Sequence, residues 1–213
     1  LMAQLIGMFD SPFVRRIAVS MELLGLPFEH RNWSVGRDAD KIRQYSPLGR
    51  VPALVLDDGE VLIESSAILD YLDETAGAKA LLPKSGAARR RGLKLMSVAT
   101  GAADKAVAQV YERIWRPEEK WHQPWLDRCR VQMDAAYAEL DRECAALTPE
   151  AWLLGAQMSQ ADITVACCFI FSTEALDIPP QQFPALSALA GRCATLPAFQ
   201  KYHAPFFVPT TRN

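Results

Sequence analysis

The feature that most constrains this chain is Pro52, which stands between a loop and an apolar strand. The loop, residues 46–50, reads Ser-Pro-Leu-Gly-Arg, and the apolar residues Ala53 and Leu54 follow the proline. A bond that precedes proline is the one common place for a cis peptide, so we predict a cis bond between Val51 and Pro52. Such a bond at a strand entry exposes the backbone N–H and C=O of Val51, which can pair with an extended peptide.

An acid and a serine, Glu64 and Ser65, follow one hairpin later. A carboxylate suits an amine, and the start of a helix suits a carboxylate, because helix N-termini carry a partial positive charge. Together with Val51, this pair predicts a pocket for a small peptide that carries an amino-acid end.

The first third of the chain alternates strands and helices. Ser11 and Pro12 open the first helix as N-cap and first helical residue, and Asp57-Asp58-Gly59 is a hairpin turn. One face of that helix is predicted to carry Phe13, Ile17, Met21 and Leu24. The elements are strands at 3–7, 27–33, 53–56 and 60–63 and helices at 12–24, 38–45 and 65–76. This βαβαββα order predicts an α/β domain with a thioredoxin-like fold over residues 1–78.

The rest of the chain is predicted to be helical after a linker at residues 79–86. Ser159 and Asp162 form a capping box, which begins an almost wholly apolar helix from Ile163 to Ala175. A helix that is apolar nearly all round is buried, so this one is predicted to be the centre of an all-α helical bundle over residues 87–213.

Three motifs of the first domain closely resemble the cytosolic glutathione S-transferases, most of all bacterial members. They are residues 11–16 (Ser-Pro-Phe-Val-Arg-Arg), the segment from Ser46 to Leu54, and the pair Glu64-Ser65. The capping box at Ser159 extends the resemblance over nearly the whole chain. The resemblance implies a glutathione-binding thioredoxin-like domain, and a helical domain that contributes the site for an electrophile.

Composition favours a soluble protein with two small domains. The chain has 213 residues, half of them hydrophobic, a formal net charge of −2, and no apolar run of transmembrane length. We therefore expect a cytoplasmic protein without nucleic-acid or membrane partners. The five cysteines form no CxxC, and neither they nor the three histidines have metal-ligand spacing. No metal, structural disulfide or permanently bound cofactor is expected; glutathione is expected as co-substrate.

Ser11 is the candidate catalytic residue. Glutathione reacts as the thiolate, which a helix N-terminus and a hydrogen-bond donor stabilise. The Ser11 hydroxyl and the N–H of Phe13 are placed for this, and the resemblance implies the same role for the serine. Two alternatives stay open: Ser11 is also an ordinary N-cap, and backbone groups can provide most of the stabilisation of the thiolate. Position 11 is not a cysteine, unlike the glutaredoxin-like branch of the family, so a stable mixed disulfide is not expected.

The resemblance assigns the other glutathione contacts. Val51, with Pro52 in cis, pairs its backbone with the cysteinyl part, and Ser65 with Glu64 holds the γ-glutamyl end. The alternatives are that Pro52 only shapes the fold and that Ser65 is only an N-cap. Arg50 is the candidate for the glycine carboxylate. An exposed loop arginine with no such role is the alternative, and the fallback candidates are Arg37 and Lys41.

The electrophile is expected between the two domains. Tyr111 and Trp115 lie one turn apart on the first helix of the second domain and are candidates for that site, although such a pair is also common in a core or interface. Phe206 and Phe207 are candidates to cap it from the tail. Members of the family are commonly homodimers, and Asp104 is a candidate for a contact across the interface.

The sequence thus predicts a glutathione transferase that activates the glutathione thiol for attack on small apolar electrophiles. One alternative is a glutathione-dependent isomerase of the maleylacetoacetate type. Residues 11–13, Ser-Pro-Phe, do not match the serine- and cysteine-rich segment usual in that branch. The other alternative is a non-catalytic binding or regulatory module, which the retention of Ser11, Val51 and Glu64-Ser65 disfavours.

Overall fold

The computed structural model of this protein describes residues 2–208, which fold into two compact units. The residues up to Leu81 together with those from Pro197 onward form the first unit, and Leu82–Leu196 form the second. The change of unit after Leu81 falls within the predicted linker at residues 79–86.

The first unit is built on a four-stranded sheet. Its strands are β1 (Ala3–Ile6), β2 (Phe28–Arg31), β3 (Ala53–Val55) and β4 (Val61–Ile63), and the helices between and after them are α1 (Pro12–Leu24), α2 (Ala39–Arg43) and α3 (Ser65–Ala76). The strand order is β2-β1-β3-β4, with β1 parallel to β2, and β3 antiparallel to both β1 and β4. The predicted thioredoxin-like α/β fold is confirmed.

The β3–β4 hairpin forms at the predicted turn. Gly59 adopts a φ of 92°, which a residue without a Cβ takes at little cost. The N–H of Leu56 donates to the C=O of Glu60 across the turn, with an N···O distance of 2.8 Å. In the neighbouring β1–β3 pair, Leu5 lies opposite Leu54, and both are fully buried. The central strands therefore supply the core of the sheet.

Helix α1 begins and ends at the predicted residues. Ser11 is its N-cap, in an extended conformation, and Gly25 ends it with a φ of 69°. Its buried apolar residues include Val14, Ile17, Ala18 and Met21. The predicted face was wrong at its ends, since Phe13 and Leu24 are only half-buried. The reason is that positions 14, 17, 18 and 21 follow the i, i+3, i+4, i+7 spacing of a single helix face.

The second unit is helical, as predicted, with α4 (Gly86–Trp115), α5 (Gln123–Ala145), α6 (Gln160–Leu176) and α7 (Pro184–Ala194). Helix α6 is buried over most of its length and packs against α4 and α7. Its capping box forms: Asp162 Oδ2 accepts from the Ser159 N–H at 2.8 Å. No helix among residues 2–208 combines the length and the apolar composition needed to cross a membrane.

The last described residues join the first unit, whereas the prediction assigned residues 197–213 to the helical domain. Helix α8 (Pro197–Lys201) packs on α1, where Arg15 Nη2 donates to the Phe199 C=O at 2.8 Å. The Tyr202 hydroxyl donates to Glu22 Oε2 at 2.6 Å. These partners are 184 and 180 positions apart, so no local pattern indicates them. Residues 209–213 of the predicted domain lie outside the described residues.

Candidate functional site

The first turn of α1 and Val51 meet at Gly7. This glycine follows β1 with a φ of 130°, a conformation that L side chains rarely adopt. A Cβ atom built there would overlap Val14 Cγ2 and lie 2.9 Å from Val51 Cβ. The close approach of these three residues places the backbone before Pro52 beside the start of α1.

Ser11 caps α1 with a half-buried side chain. Its Oγ accepts a long hydrogen bond of 3.4 Å from the Val14 N–H, and its own N–H donates to the Met8 C=O at 3.2 Å. A hydroxyl that accepts a hydrogen bond still carries a proton that it can donate. Ser11 can therefore cap the helix and donate to a ligand anion at the same time.

Phe9 and His30 support the segment between β1 and α1. His30 Nε2 lies 2.7 Å from the Gly7 C=O, and the imidazole stacks on the Phe9 ring with 3.8 Å between ring centroids. Because a carbonyl can only accept, His30 carries a proton on Nε2 in this contact. Sequence reasoning missed this pair, since it is the parallel β1–β2 register that brings His30 to the segment.

The Val51–Pro52 peptide bond is cis, as predicted. Pro52 is buried and Val51 is half-buried. Among residues 2–208, neither the N–H nor the C=O of Val51 has a hydrogen-bond partner. Both groups can therefore pair with an extended peptide, as the ends of an unpaired strand do.

Glu64 precedes α3 with a φ of 65°, which is uncommon for a residue with a Cβ and marks local strain. Its side chain makes no capping hydrogen bond to α3, and its Oε2 lies 3.5 Å from Arg50 Nη2. The two side chains are 43% and 55% exposed, and such exposed pairs contribute only about 0–1 kcal/mol. A bound ligand can therefore compete for the carboxylate of Glu64 and the guanidinium of Arg50.

Ser65, the first residue of α3, is held by a buried arginine of α1. Arg16 is 1% exposed, and its Nε and Nη2 donate to Ser65 Oγ at 3.1 and 2.7 Å. Nη2 also lies 3.2 Å from Ser66 Oγ. Sequence reasoning gave Arg16 no role, because Ser65 is 49 positions away. One signal was present: an arginine within the buried stretch of an amphipathic helix needs polar partners.

Arg37 and Lys41, the fallback candidates for the glycine carboxylate, both contact Asp38. Lys41 Nζ lies 2.9 Å from Asp38 Oδ1, and Arg37 Nε lies 3.3 Å from Oδ2. The Ser34 N–H also donates to Oδ2, at 3.0 Å. The hydrogen bond from Lys41 is the main cause that lowers the pKa of Asp38. Of the three cations, Arg50 is the one that contacts Glu64.

The predicted electrophile residues are divided between the two units. Tyr111 and Trp115 lie on α4 with 6.2 Å between their ring centroids, and both are partly exposed. Asp104 is exposed on the same helix. Phe206 and Phe207 belong to the first unit, where the Phe207 N–H donates to the side chain of Asp10, the residue before Ser11.

All five cysteines are buried in the second unit. Burial raises the pKa of Cys144 to about 12 and also raises the pKa values of Cys129 and Cys193. Within residues 2–208, no group of three or more His, Cys, Asp or Glu side chains is arranged to hold a metal ion.

Comparison with known proteins covers both units. Residues 5–80 match the family described as Glutathione S-transferase, N-terminal domain, and residues 123–192 match Glutathione S-transferase, C-terminal domain. Glutathione S-transferase GstB of Escherichia coli K12 is 31% identical over 171 residues, 78% of this chain and 80% of that protein. Maleylacetoacetate isomerase of Pseudomonas aeruginosa is 28% identical over 196 residues, 88% of this chain and 89% of that protein.

One solved structure adds a ligand to the comparison. A glutathione transferase family member from Pseudomonas fluorescens Pf-5, solved with bound glutathione, is 31% identical, with a TM-score of 0.79. The match covers 96% of this chain and 100% of that one. The fold that surrounds glutathione in that protein is thus the fold of this chain.

Proposed function

This chain belongs to the glutathione S-transferase family, and from that premise we propose that it is an active glutathione transferase. It uses the glutathione thiolate to attack a small, largely apolar electrophile by addition, substitution, or isomerisation through an adduct. The observation that carries the proposal is that three of the candidate residues lie at or beside α1. Ser11 caps it, Val51 lies beside its first turn, and Ser65 is hydrogen-bonded to its Arg16.

Thiol activation is assigned to Ser11 and the N-terminus of α1. The Ser11 hydroxyl donates to the thiolate, while the N–H of Phe13 and the helix dipole add positive potential. Both effects stabilise the thiolate over the thiol and so lower the pKa of bound glutathione. Support for this role comes from the Ser11 Oγ, which accepts from the Val14 N–H and keeps its proton for the ligand.

Glutathione binding is assigned to the residues around Pro52 and to those at the start of α3. Val51 pairs its N–H and C=O with the cysteinyl part of the tripeptide, with Pro52 in cis. Glu64 binds the γ-glutamyl amine, and Ser65 binds the γ-glutamyl carboxylate through its hydroxyl and the N–H groups that begin α3. Arg50 pairs with the glycine carboxylate.

Tyr111 and Trp115 are proposed as the aromatic surface for the electrophile. Their partial exposure on α4 supports this assignment, since a buried core pair would not be accessible. We also propose that the protein works as a homodimer with Asp104 at its interface, which the exposure of Asp104 on α4 permits.

A glutathione-dependent isomerase is the second candidate. It is favoured by the likeness to a maleylacetoacetate isomerase over 88% of this chain, although that likeness is only 28% identity. The two candidates share the glutathione site and differ in the electrophile. A cis-to-trans isomerisation of maleylacetoacetate that depends on glutathione would therefore favour the second over the first.

The first test is a calorimetric titration of the full chain with glutathione, beside the same titration of Ser65→Ala. We expect saturable binding that weakens about tenfold or more in the variant, the usual effect of losing a hydrogen bond to a charged group. No binding to the wild-type protein at millimolar glutathione would contradict the proposal and favour a binding or regulatory module.

The second test is turnover with a chlorodinitrobenzene as electrophile. Ser11→Ala should lower kcat by about tenfold or more, because it removes a donor aimed at the thiolate. Ser159→Ala is the matched control, since it also removes an N-cap serine but lies in the second unit. Equal kcat values for Ser11→Ala and wild type would mean that backbone groups, and not Ser11, stabilise the thiolate.

A further inference from the structure

Arg16 is a buried cation in direct contact with a residue proposed to bind glutathione. Its guanidinium is 1% exposed, and it reaches Ser65 Oγ with two nitrogen atoms and Ser66 Oγ with one. We propose that Arg16 is a positioning residue, which forces the Ser65 hydroxyl to act as a hydrogen-bond donor. The site thereby selects peptides whose γ-glutamyl end keeps its α-carboxylate. This inference rests on the proposed glutathione site.

The hydrogen-bonding capacity of a serine hydroxyl limits the role that Ser65 can take beside Arg16. The Oγ atom has two lone pairs and one proton, whereas a guanidinium has only donors. Arg16 Nε and Nη2 approach Ser65 Oγ at 3.1 and 2.7 Å and so occupy its accepting side. The Ser65 proton has no acceptor on Arg16 and must point away from it. Within residues 2–208, Ser65 Oγ donates to no other group, so this proton is left for a ligand.

The charge of Arg16 also restricts which ligand group can face Ser65. A guanidinium does not lose its proton in proteins, so Arg16 keeps a full positive charge at any pH of interest. Ser65 is only 5% exposed, and charges act more strongly where water is excluded. The group that accepts the Ser65 proton is therefore favoured when it is an anion. An amine, which is a cationic donor at neutral pH, is excluded from that position.

The residue before Ser65 contributes a contact for the other charged group of an amino-acid end. Glu64 carries the opposite charge and is immediately followed by Ser65, so an acceptor for an amine lies next to a donor for a carboxylate. The two residues fix the orientation of an amino-acid end, with its amine toward Glu64 and its carboxylate toward Ser65. Ser66 completes the arrangement, because its contact with Nη2 restrains the plane of the guanidinium. Arg16 sets this order without touching the ligand.

The test compares two buried neighbours on α1. Arg16→Met removes the guanidinium beside Ser65, while Arg15→Met removes one that contacts Phe199 instead. Each full-length variant and the wild type is titrated calorimetrically with glutathione and with 4-aminobutanoyl-cysteinylglycine, which lacks only the α-carboxylate. The quantity compared is the ratio of the two Kd values, and a thermal melt of each variant accompanies it.

We expect wild type and Arg15→Met to bind glutathione about tenfold or more tightly than the analogue, the usual size for a hydrogen bond to a charged group. In Arg16→Met this ratio should fall by about threefold or more, with the Kd of the analogue unchanged, because the Ser65 hydroxyl is no longer oriented while the N–H groups that begin α3 remain. If Arg16→Met keeps the wild-type ratio, or weakens both ligands by the same factor, Arg16 is not a positioning residue and the inference is overturned.

Two further measurements cover the case in which Arg16→Met does not fold. Arg16→Lys keeps the charge but loses the forked donor geometry, so its ratio should fall below that of wild type; an unchanged ratio would overturn the inference. The wild type alone is also decisive. Equal Kd values for the two ligands overturn the inference and leave glutathione binding intact, whereas no binding of either ligand overturns the proposed function itself.

Discussion

Gly7 is the residue whose missing side chain allows the candidate site to form. Its φ of 130° and the positions of Val14 and Val51 leave no room for a Cβ. We expect Gly7→Ala to lower the free energy of unfolding by about 2–4 kcal/mol, because strain at positive φ and overpacking act together. Glutathione affinity should fall with it, since Val51 must move. Urea unfolding and a glutathione titration measure the two effects.

Gly25→Ala provides the matched comparison at the residue scale. Gly25 also has a positive φ, of 69°, but a Cβ there meets no atom within 4 Å. Gly25→Ala should therefore lower the free energy of unfolding by the backbone strain alone, about 1 kcal/mol, and leave the glutathione affinity unchanged. If both variants lose the same free energy of unfolding, the residues around Gly7 accommodate a Cβ without cost, which would contradict the prediction.

The positions of the candidate site differ in how far the sequence predicts them. Ser11, Val51 and Glu64 each lie in a short pattern that the sequence shows. Ser11 precedes a proline, Val51 precedes the proline before a strand, and Glu64 precedes a helix. Arg16 and His30 carry no such signal, because their partners Ser65 and Gly7 are 49 and 23 positions away. Their contacts exist only once the sheet has brought its strands and helices together.

The segment that leads into α2 is stabilised by contacts to one acidic residue. Asp38 is its N-cap residue and binds the Ser34 N–H, Lys41 and Arg37, so a single carboxylate ties the loop to the helix. These contacts hold the folded-state pKa of Asp38 below its usual value near 3.8. The stability that they contribute is therefore present above that value and is lost as pH falls through the lower, folded-state pKa.

Asp38→Asn should show this dependence directly. At pH 7 we expect a loss of about 1 kcal/mol in the free energy of unfolding, and a smaller loss at pH 3, since the wild-type carboxyl is then largely protonated in the unfolded state. Urea unfolding at the two pH values measures the difference. Asp40→Asn, at an exposed position two residues later, serves as control. A loss that is the same at both pH values would exclude the charge of Asp38 as its cause.

The elements themselves were largely predictable, because caps and turns are local. The serine before α1, the capping box of α6 and the Asp-Asp-Gly hairpin each lie within a few residues of the structure they specify. The helical character of residues after the linker was also predictable, but local patterns do not indicate which unit α8 joins. That choice depends on Arg15 and Glu22, which lie nearly the whole chain away.

At the scale of the whole molecule, all five cysteines are buried. Burial hinders access of a reagent, and the raised pKa of Cys144, about 12, leaves almost no thiolate at pH 8. We expect native protein to resist iodoacetamide at pH 8, while urea-unfolded protein reacts at all five cysteines. Intact-mass spectrometry counts the adducts. Native labelling at the rate of the unfolded chain would contradict the buried placement.

The first unit is discontinuous in sequence, so residues 82–196 are in effect an insertion within it. Synthesis proceeds from the N-terminal side, and domains generally fold as units as they emerge. Ser11, Val51 and Ser65 are therefore made early, yet Phe199 and Tyr202, which contact α1, are made after the whole helical unit. A nascent chain halted before Pro197 carries these three residues without the contacts of Arg15 and Glu22 that hold α1. The unit translated first is thus completed last.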